Sequence, residues 1–187
     1  MNDQTFKMQP FPSAKPIPDL KIAGNIARQG NQFTIHYALL GNVKEVAIAQ
    51  GGAKPNAQRA GYANARRAAS SETILAPSDT PARKHELWKD TCFEFFVGIK
   101  NSDQYWEFNL SPAGDWNIYR FDAYRQGMQE ETAFTALPFS IQHLSDGLAI
   151  ALDVDLDKIV PANQAIEVGI TTVSVFDDGG RLSAIRH

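Results

Sequence analysis

The ten residues 91–100, Thr-Cys-Phe-Glu-Phe-Phe-Val-Gly-Ile-Lys, carry the clearest structural signal in the chain. Alternate positions of this stretch are apolar: Phe93, Phe95, Val97 and Ile99. Successive side chains of a β-strand point to opposite faces of the sheet, so these four side chains share one face. Cys92 and Glu94 fall on the other face. The pattern predicts a strand with one side buried in a core.

Further short strands with turns between them lie on both sides of this stretch. Residues 32–40 alternate after the turn Gly30-Asn31, and residues 139–144 and 148–156 flank the turn Ser145-Asp146-Gly147. The predicted strands do not alternate with helices, and this order favours antiparallel pairing of the strands. We therefore predict an all-β fold, an antiparallel β-sandwich with a jelly-roll or immunoglobulin-like two-sheet architecture. The side chains expected in its core are Phe93, Phe95, Val97, Trp106, Phe108, Tyr119 and Ile150.

The length of 187 residues suits one sandwich domain spanning residues 1–187. Residues 51–81 are rich in Ala, Ser, Asn and Arg and lack apolar periodicity, so we expect a loop insertion there. The sequence stops at His187 inside a stretch typical of a strand, and we expect this last strand to be truncated.

Composition narrows the class of partner. The formal charge is −3 and the sequence pI is near 5.8, which argues against a nucleic-acid partner. No apolar run is long enough for a bilayer span, and residues 1–10 do not form an apolar leader, so we expect no membrane partner and a cytoplasmic location. Cys92 is the one cysteine, which excludes an intrachain disulfide. The sequence does not indicate an oligomeric state.

All three tryptophans of the chain lie in the segment 87–128. The segment contains Trp-Lys-Asp-Thr-Cys-Phe-Glu-Phe-Phe from Trp88, then Tyr-Trp-Glu-Phe-Asn from Tyr105, then Ser-Pro-Ala-Gly from Ser111. This series resembles the DOMON-like superfamily, and within it the domains similar to family-nine carbohydrate-binding modules. The resemblance covers about half of the chain, and includes the closing segment 178–183. It implies a β-sandwich that binds sugar or haem in different branches.

Sugar binding has a physical basis in these residue types. Aromatic rings stack on the apolar faces of a pyranose, while carboxylates and amides bind its hydroxyl groups. We therefore expect a non-catalytic domain that binds a glycan or another small molecule. The candidate ligand-binding residues are Trp88, Asp90, Glu94, Glu107, Asn109, Trp116 and Arg120.

Positions within the strands rank these candidates. Trp88 and Trp116 stand beside turns, so we expect both rings to be exposed at the site, whereas Trp106 is mid-strand and is expected in the core. In the alternation of two neighbouring strands, Glu94 and Glu107 occupy positions whose side chains point to the same side of the sheet. They are expected on one sheet face, where Arg120 is a candidate partner.

Alternative functions remain open at this level. Paired carboxylates would also serve a glycoside-cleaving enzyme. Haem would need axial ligands, for which the candidates are Met128, His85, His143 and His36. Calcium would need an oxygen cluster such as Asp153, Asp155 and Asp157. We expect neither cofactor, no catalytic residue and no metal site, and we expect Cys92 to be a buried, inert thiol.

Overall fold

The computed structural model describes residues 2–10, 19–41, 81–175 and 181–186, the last six by their backbone alone. Twelve strands and one short 3-10 helix, Leu87–Lys89, make up the regular elements of these residues. The strands are β1 (Asn2–Lys7), β2 (Gln9–Pro10), β3 (Lys21–Gln29), β4 (Gln32–Leu40), β5 (Cys92–Ile99), β6 (Tyr105–Leu110), β7 (Trp116–Phe121), β8 (Gln129–Glu130), β9 (Phe139–Leu144), β10 (Gly147–Asp155), β11 (Ile166–Val175) and β12 (Arg181–Arg186).

The strands form two antiparallel sheets. The five-stranded sheet has the order β1-β3-β4-β10-β9, and the seven-stranded sheet has the order β2-β12-β11-β5-β6-β7-β8. The predicted antiparallel sandwich is therefore confirmed. Residues 51–80 of the predicted insertion lie outside the described residues, as does His187, at which we expected a truncated strand.

The core lies between the two sheets and is built around aromatic side chains. Phe33 of the five-stranded sheet stacks on Phe95 of the seven-stranded sheet, with ring centroids 5.4 Å apart. Phe95 in turn stacks on Phe108 at 4.4 Å. Aromatic pairs of this kind stabilise a core beyond the area that they bury. Each of the seven side chains predicted to be buried is at most 4% exposed.

Two predicted hairpins are present. Gly30 and Asn31 connect β3 to β4, and Gly30 has a φ of +62°, a conformation that glycine adopts at little cost. Strands β9 and β10 are joined through Ser145-Asp146 and pair from Leu144 opposite Gly147. Within the described ranges, no helix is long and apolar enough to cross a membrane.

Candidate functional site

The seven-stranded sheet has two faces of different chemistry. Its inner face packs on the five-stranded sheet and carries Phe93, Phe95 and Val97 of β5. Its outer face points away from that core, and several of its side chains are polar. From β5, β6 and β7, the outer face carries Cys92, Glu94, Phe96, Tyr105, Glu107, Asn109, Asn117, Tyr119 and Phe121.

Strand pairing places the polar side chains of this face in adjacent positions. Glu94 lies opposite Asn109, which lies opposite Asn117. Glu107 lies in the next row, between Phe96 of β5 and Tyr119 of β7. Side chains directly opposite one another in antiparallel strands are in contact range. The row of acid and amide groups therefore borders a row of aromatic rings.

A segment that we call the strap, residues 82–90, runs beside β7 and crosses the outer face. Its backbone joins the edge of β7: the Trp116 N–H donates to the Ala82 carbonyl at 3.0 Å, and the Lys84 N–H donates to the Trp116 carbonyl at 2.9 Å. The Lys84 ammonium also pairs with the buried Asp115 carboxylate at 2.6 Å. These contacts hold the start of the strap against the sheet.

Arg83 of the strap forms a second set of contacts. Its guanidinium donates to Asn117 Oδ1 at 2.8 Å and to the Phe134 carbonyl, and lies 3.5 Å from the Glu130 carboxylate. The same group lies over the Trp116 ring, 4.3 Å from the centroid. A planar guanidinium suits this combination of fork-like donation and stacking.

The 3-10 helix Leu87–Lys89 places Trp88 over the outer face, against β5 and β6. Glu86 precedes this helix in the left-handed conformation, with a φ of 60°, and turns the chain. The Trp88 ring meets Tyr119 edge-on, with centroids 5.4 Å apart, and remains partly exposed. Asp90 ends the strap and is exposed.

The Tyr119 hydroxyl lies at the centre of a hydrogen-bond network. It accepts from Asn117 Nδ2 at 3.0 Å and lies 3.2 Å from His85 Nδ1, to which it can donate. His85 Nε2 is 3.0 Å from Glu130 Oε2. Burial raises the pKa of Tyr119 above its ordinary value, so the hydroxyl stays protonated. The network ties the strap to the sheet beneath Trp88.

Glu107 and Asn109 form a pair within β6. Asn109 Nδ2 donates to Glu107 Oε1 at 2.9 Å. Burial raises the pKa of Glu107, and this hydrogen bond opposes the rise. Within the described part of the chain, Glu107 Oε2 accepts no hydrogen bond, and it is not sealed from solvent. Glu107 therefore offers an acceptor oxygen between aromatic rings.

Cys92 and Glu94 lie deeper on the same face. The Cys92 thiol is fully buried, and its Sγ lies 3.4 Å from Asn109 Oδ1. Burial raises the pKa of Cys92 well above its ordinary value, and the negative charges of Glu94 and Glu107 raise it further. A protonated, buried thiol is a poor nucleophile, in line with the prediction of an inert cysteine. Glu94 is 6% exposed.

Four of the seven candidate residues meet on the outer face: Trp88, Glu94, Glu107 and Asn109. Asp90 lies at the end of the strap that carries Trp88. The other two candidates lie elsewhere.

The expectation of an exposed Trp116 ring is wrong. Trp116 is 4% exposed and belongs to the core, because it shares its phase in β7 with Ile118, which packs against the inner face. The predicted burial of Trp106, also 4% exposed, is confirmed. Arg83 covers the Trp116 ring from outside.

Arg120 does not pair with the two glutamates. It lies opposite Trp106 in β6 and so belongs to the inner-face phase, whereas Glu94 and Glu107 point outward. The Arg120 guanidinium donates to Gln129 Oε1 at 3.2 Å and lies 3.8 Å from the Asp122 carboxylate. The alternation of side chains along β7 explains this separation.

Asn117 and Lys84 are site residues that we did not predict. His85 was considered only as a haem ligand, and Tyr119 was assigned only to the core. Asn117 continues the outward polar row of Glu94 and Asn109 into a third strand. That row was readable in principle, since Asn117 alternates with Ile118 in the sequence. The position of the strap over the sheet has no comparable local pattern.

The side chains considered as calcium or haem ligands form other contacts or are exposed. Asp153 Oδ1 accepts from Thr34 Oγ1 at 2.6 Å, and Asp155 Oδ2 accepts from Gln32 Nε2 at 2.9 Å, across the five-stranded sheet. Among the residues described, no three His, Cys, Asp or Glu side chains converge on a point where they could hold a metal ion. His85 contacts Tyr119 and Glu130, and Met128 is 52% exposed.

Comparisons with known proteins concern the fold. No protein-family model matches the sequence, and a search of curated proteins finds no significant match. Among solved structures, a candidate carbohydrate-binding protein from Bacteroides uniformis ATCC 8492 superposes with a TM-score of 0.56 at 14% identity, over 96% of this chain and 77% of that chain. A family-nine carbohydrate-binding module from Caldicellulosiruptor kristjanssonii in complex with glucose gives a TM-score of 0.44 at 10% identity, over 92% of this chain and 68% of that chain.

At such low identity the first likeness shows a shared fold, and the second falls below the similarity at which folds are equated. The sandwich implied by the sequence resemblance is therefore confirmed, while membership of the DOMON-like superfamily stays a prediction. The chain shares the β-sandwich fold of a candidate carbohydrate-binding protein.

Proposed function

We propose that this chain is a non-catalytic carbohydrate-binding domain whose ligand contacts the outer face of the seven-stranded sheet beside Trp88. The observation that carries the proposal is the position of Glu107. Among the described residues, no donor reaches its Oε2; the half-buried side chain lies in one row with Phe96 and Tyr119, and its Oε1 is held by Asn109. A hydroxyl-rich ring requires such an acceptor set among aromatic surfaces.

The aromatic part of the proposed site is partly covered and partly open. The Trp88 ring rests edge-on against Tyr119, so one ring supports the other. Trp88 remains partly exposed, whereas Tyr119 is 2% exposed. In this arrangement Trp88 provides the stacking surface, and Tyr119 fixes its orientation.

Anchoring of the strap supports affinity. A side chain that is already ordered before binding loses less conformational entropy when the ligand arrives. Contacts from Lys84 to Asp115, from Arg83 to Asn117 and from His85 to Tyr119 fix the strap on the N-terminal side of Trp88. The site is therefore largely formed without ligand.

The different burial of Glu94 and Glu107 favours sugar binding over glycoside cleavage. Glycoside hydrolysis uses two carboxyl groups that flank the scissile bond. Glu94 is 6% exposed and contacts the buried Cys92, whereas Glu107 lies nearer to the surface. Only one carboxylate of the pair is therefore well placed to reach a sugar.

The test is a calorimetric screen of soluble mono- and oligosaccharides, run beside a chromogenic glycoside assay. We expect binding of at least one sugar without cleavage, and a loss of that binding in Trp88→Ala and Glu107→Gln. Leu40→Ala is the matched control, since Leu40 is 37% exposed on the other sheet. If no sugar gives a binding signal in calorimetry, the proposal is wrong. If a glycoside is cleaved and Glu107→Gln abolishes the cleavage, the protein is an enzyme instead.

A further inference from the structure

We infer that the outer face contains a second sugar subsite, formed by Tyr105 and Tyr124, and that the ligand is therefore an oligosaccharide of at least two units. This inference rests on the proposed function and extends it. The second subsite lies two positions along β6 and β7 from the row of Glu107 and Tyr119, which Trp88 contacts.

Tyr105 belongs to a flat pair of rings on the outer face. It lies opposite Phe121 in the register of β6 and β7. The two rings are stacked with centroids 4.7 Å apart and an angle of 4° between their planes. Tyr105 is partly exposed, whereas Phe121 is 7% exposed. Phe121 thus supports Tyr105 much as Tyr119 supports Trp88.

The turn after β7 presents Tyr124 next to this pair. The turn is closed by backbone hydrogen bonds from Asp122 to Gln126 and from Gln126 to Ala123, at 3.0 and 2.9 Å. Gly127 completes it with a φ of +66°, where a Cβ would lie 2.1 Å from an oxygen of Asp122. The turn is consequently held by its own backbone hydrogen bonds.

One contact ties the turn to Tyr105, and a second lies within the turn. The Arg125 N–H donates to the Tyr105 hydroxyl at 3.3 Å. The Arg125 guanidinium lies 5.3 Å from the centre of the Tyr124 ring. Tyr124 nonetheless remains 75% exposed. A supported but open ring next to a second, partly open ring is the geometry that stacking on a pyranose requires.

Exposed apolar side chains concentrate at this turn. In the described part of the chain, the large hydrophobic side chains that are exposed are Leu40, Tyr124 and Met128. Tyr124 and Met128 lie four positions apart on the same turn. Such a small patch falls far short of the area of a stable protein interface, roughly 800 Å² per partner. The turn instead contacts Tyr105, whose row adjoins that of Glu107, and this position favours a longer glycan.

Strand geometry sets the spacing between the two subsites. Tyr119 and Phe121 are two positions apart in β7, as are Glu107 and Tyr105 in β6, which corresponds to about 7 Å along each strand. That step is similar to the length of one sugar residue in a chain. A unit that contacts Trp88 and Glu107 therefore leaves its neighbour over Tyr105 and Tyr124.

The test compares ligand lengths. Neutral β-1,4-, β-1,3- and α-1,4-linked gluco-oligosaccharides of one to six units are titrated into the full chain by calorimetry. In the series that binds, we expect affinity to rise about fivefold to a hundredfold between one and three units, by analogy with the effect of one aromatic stacking contact. Tyr124→Ala should remove most of this rise and leave binding of the monosaccharide unchanged.

Controls separate the inference from the proposed function. Tyr105→Phe keeps the ring stack and should retain the length dependence, and Leu40→Ala should behave as the wild type. If a monosaccharide binds as tightly as the trimer, or if Tyr124→Ala changes nothing, the second subsite is wrong while the proposed function stands. If no saccharide of any length binds, both fall.

Discussion

The outer faces of the two sheets differ in the burial of their polar side chains. On the five-stranded sheet, Thr34 and Gln32 reach across to Asp153 and Asp155, and these hydrogen bonds are exposed. On the seven-stranded sheet, Asn109 and Asn117 are fully buried, and Glu94 is 6% exposed. The same period-two alternation thus produces a solvated surface on one sheet and a buried polar layer on the other.

The difference arises from what covers each face. The strap and its 3-10 helix lie over β5 and β6 of the seven-stranded sheet. A buried polar group costs free energy unless it is hydrogen-bonded, and here Asn117 bonds to Lys84 and Tyr119 while Asn109 bonds to Glu107. A network of this kind is a specific structural requirement, whereas the polar residues of the other face need only water.

The largest effect expected from breaking this arrangement concerns the tryptophans. Replacing Trp116 or Trp106 by Ala should cost about 3–5 kcal/mol in the free energy of unfolding, since both rings are in the core. Trp88→Ala removes a ring that is only partly buried and meets Tyr119 edge-on, so it should cost less than either core tryptophan. Chemical denaturation of the three variants measures this difference. Equal losses would mean that Trp88 is a core residue and offers no ligand surface.

A smaller effect is expected when the strap loses its anchor. Asp115→Ala removes the buried carboxylate that pairs with Lys84 at 2.6 Å and accepts from the Ala82 N–H at 3.2 Å. We expect a loss of about 1–3 kcal/mol and a red shift in tryptophan emission as the strap loosens.

Glu86→Ala is the matched control for the strap. It breaks the exposed pair with Lys89, and such pairs contribute at most about 1 kcal/mol. If both variants have the same unfolding midpoint and emission spectrum, Asp115 does not hold the strap.

The pH dependence of stability tests the buried polar layer itself. Burial raises the pKa of Glu107, so the native state binds this proton more tightly than the unfolded chain. Stability should therefore fall as pH rises above the ordinary value near 4.5, and Glu107→Gln should gain relative to the wild type over that window. Urea denaturation of both proteins between pH 4 and 7 measures the gain. A difference that stays constant with pH would mean that Glu107 is well solvated.

The smallest effect is expected on the five-stranded sheet. Thr34→Ala removes the hydrogen bond to Asp153, but both groups are then free to bind water. We expect a change below about 1 kcal/mol in the free energy of unfolding. If Thr34→Ala lowers the free energy of unfolding as much as Asp115→Ala does, the two outer faces do not differ in how much their polar side chains contribute to stability.

The strands of this fold were predictable because alternation is a local property of the chain. In β5, the apolar phase of Phe93, Phe95 and Val97 identifies the core face directly. Strand β7 is different, since Trp116 and Ile118 are apolar in one phase while Tyr119 and Phe121 are apolar in the other. Periodicity alone does not say which phase faces the core. The wrong expectation for Trp116 came from its position beside a turn, and the alternation in β7 did not correct it.

Part of the candidate site could also be predicted, namely the residue types and the shared face of Glu94, Glu107 and Asn109. The role of Arg120 could not, because its assignment depends on the same ambiguous phase of β7. Register resolves it: Phe108 lies opposite Ile118, so Ile118 and with it Arg120 take the inner phase.

From the amino-acid sequence it follows that segments such as 32–40, 91–100 and 148–156 become strands, that these strands pair without helical crossovers, and that aromatic and acidic side chains concentrate in residues 87–128. That the strap crosses the outer face, that Arg83 covers Trp116 and that Trp88 rests on Tyr119 is visible only in the folded chain. The physical reason is range: alternation acts between neighbouring residues, whereas the position of the strap depends on contacts formed between residues some 30 positions apart, such as Lys84 with Asp115.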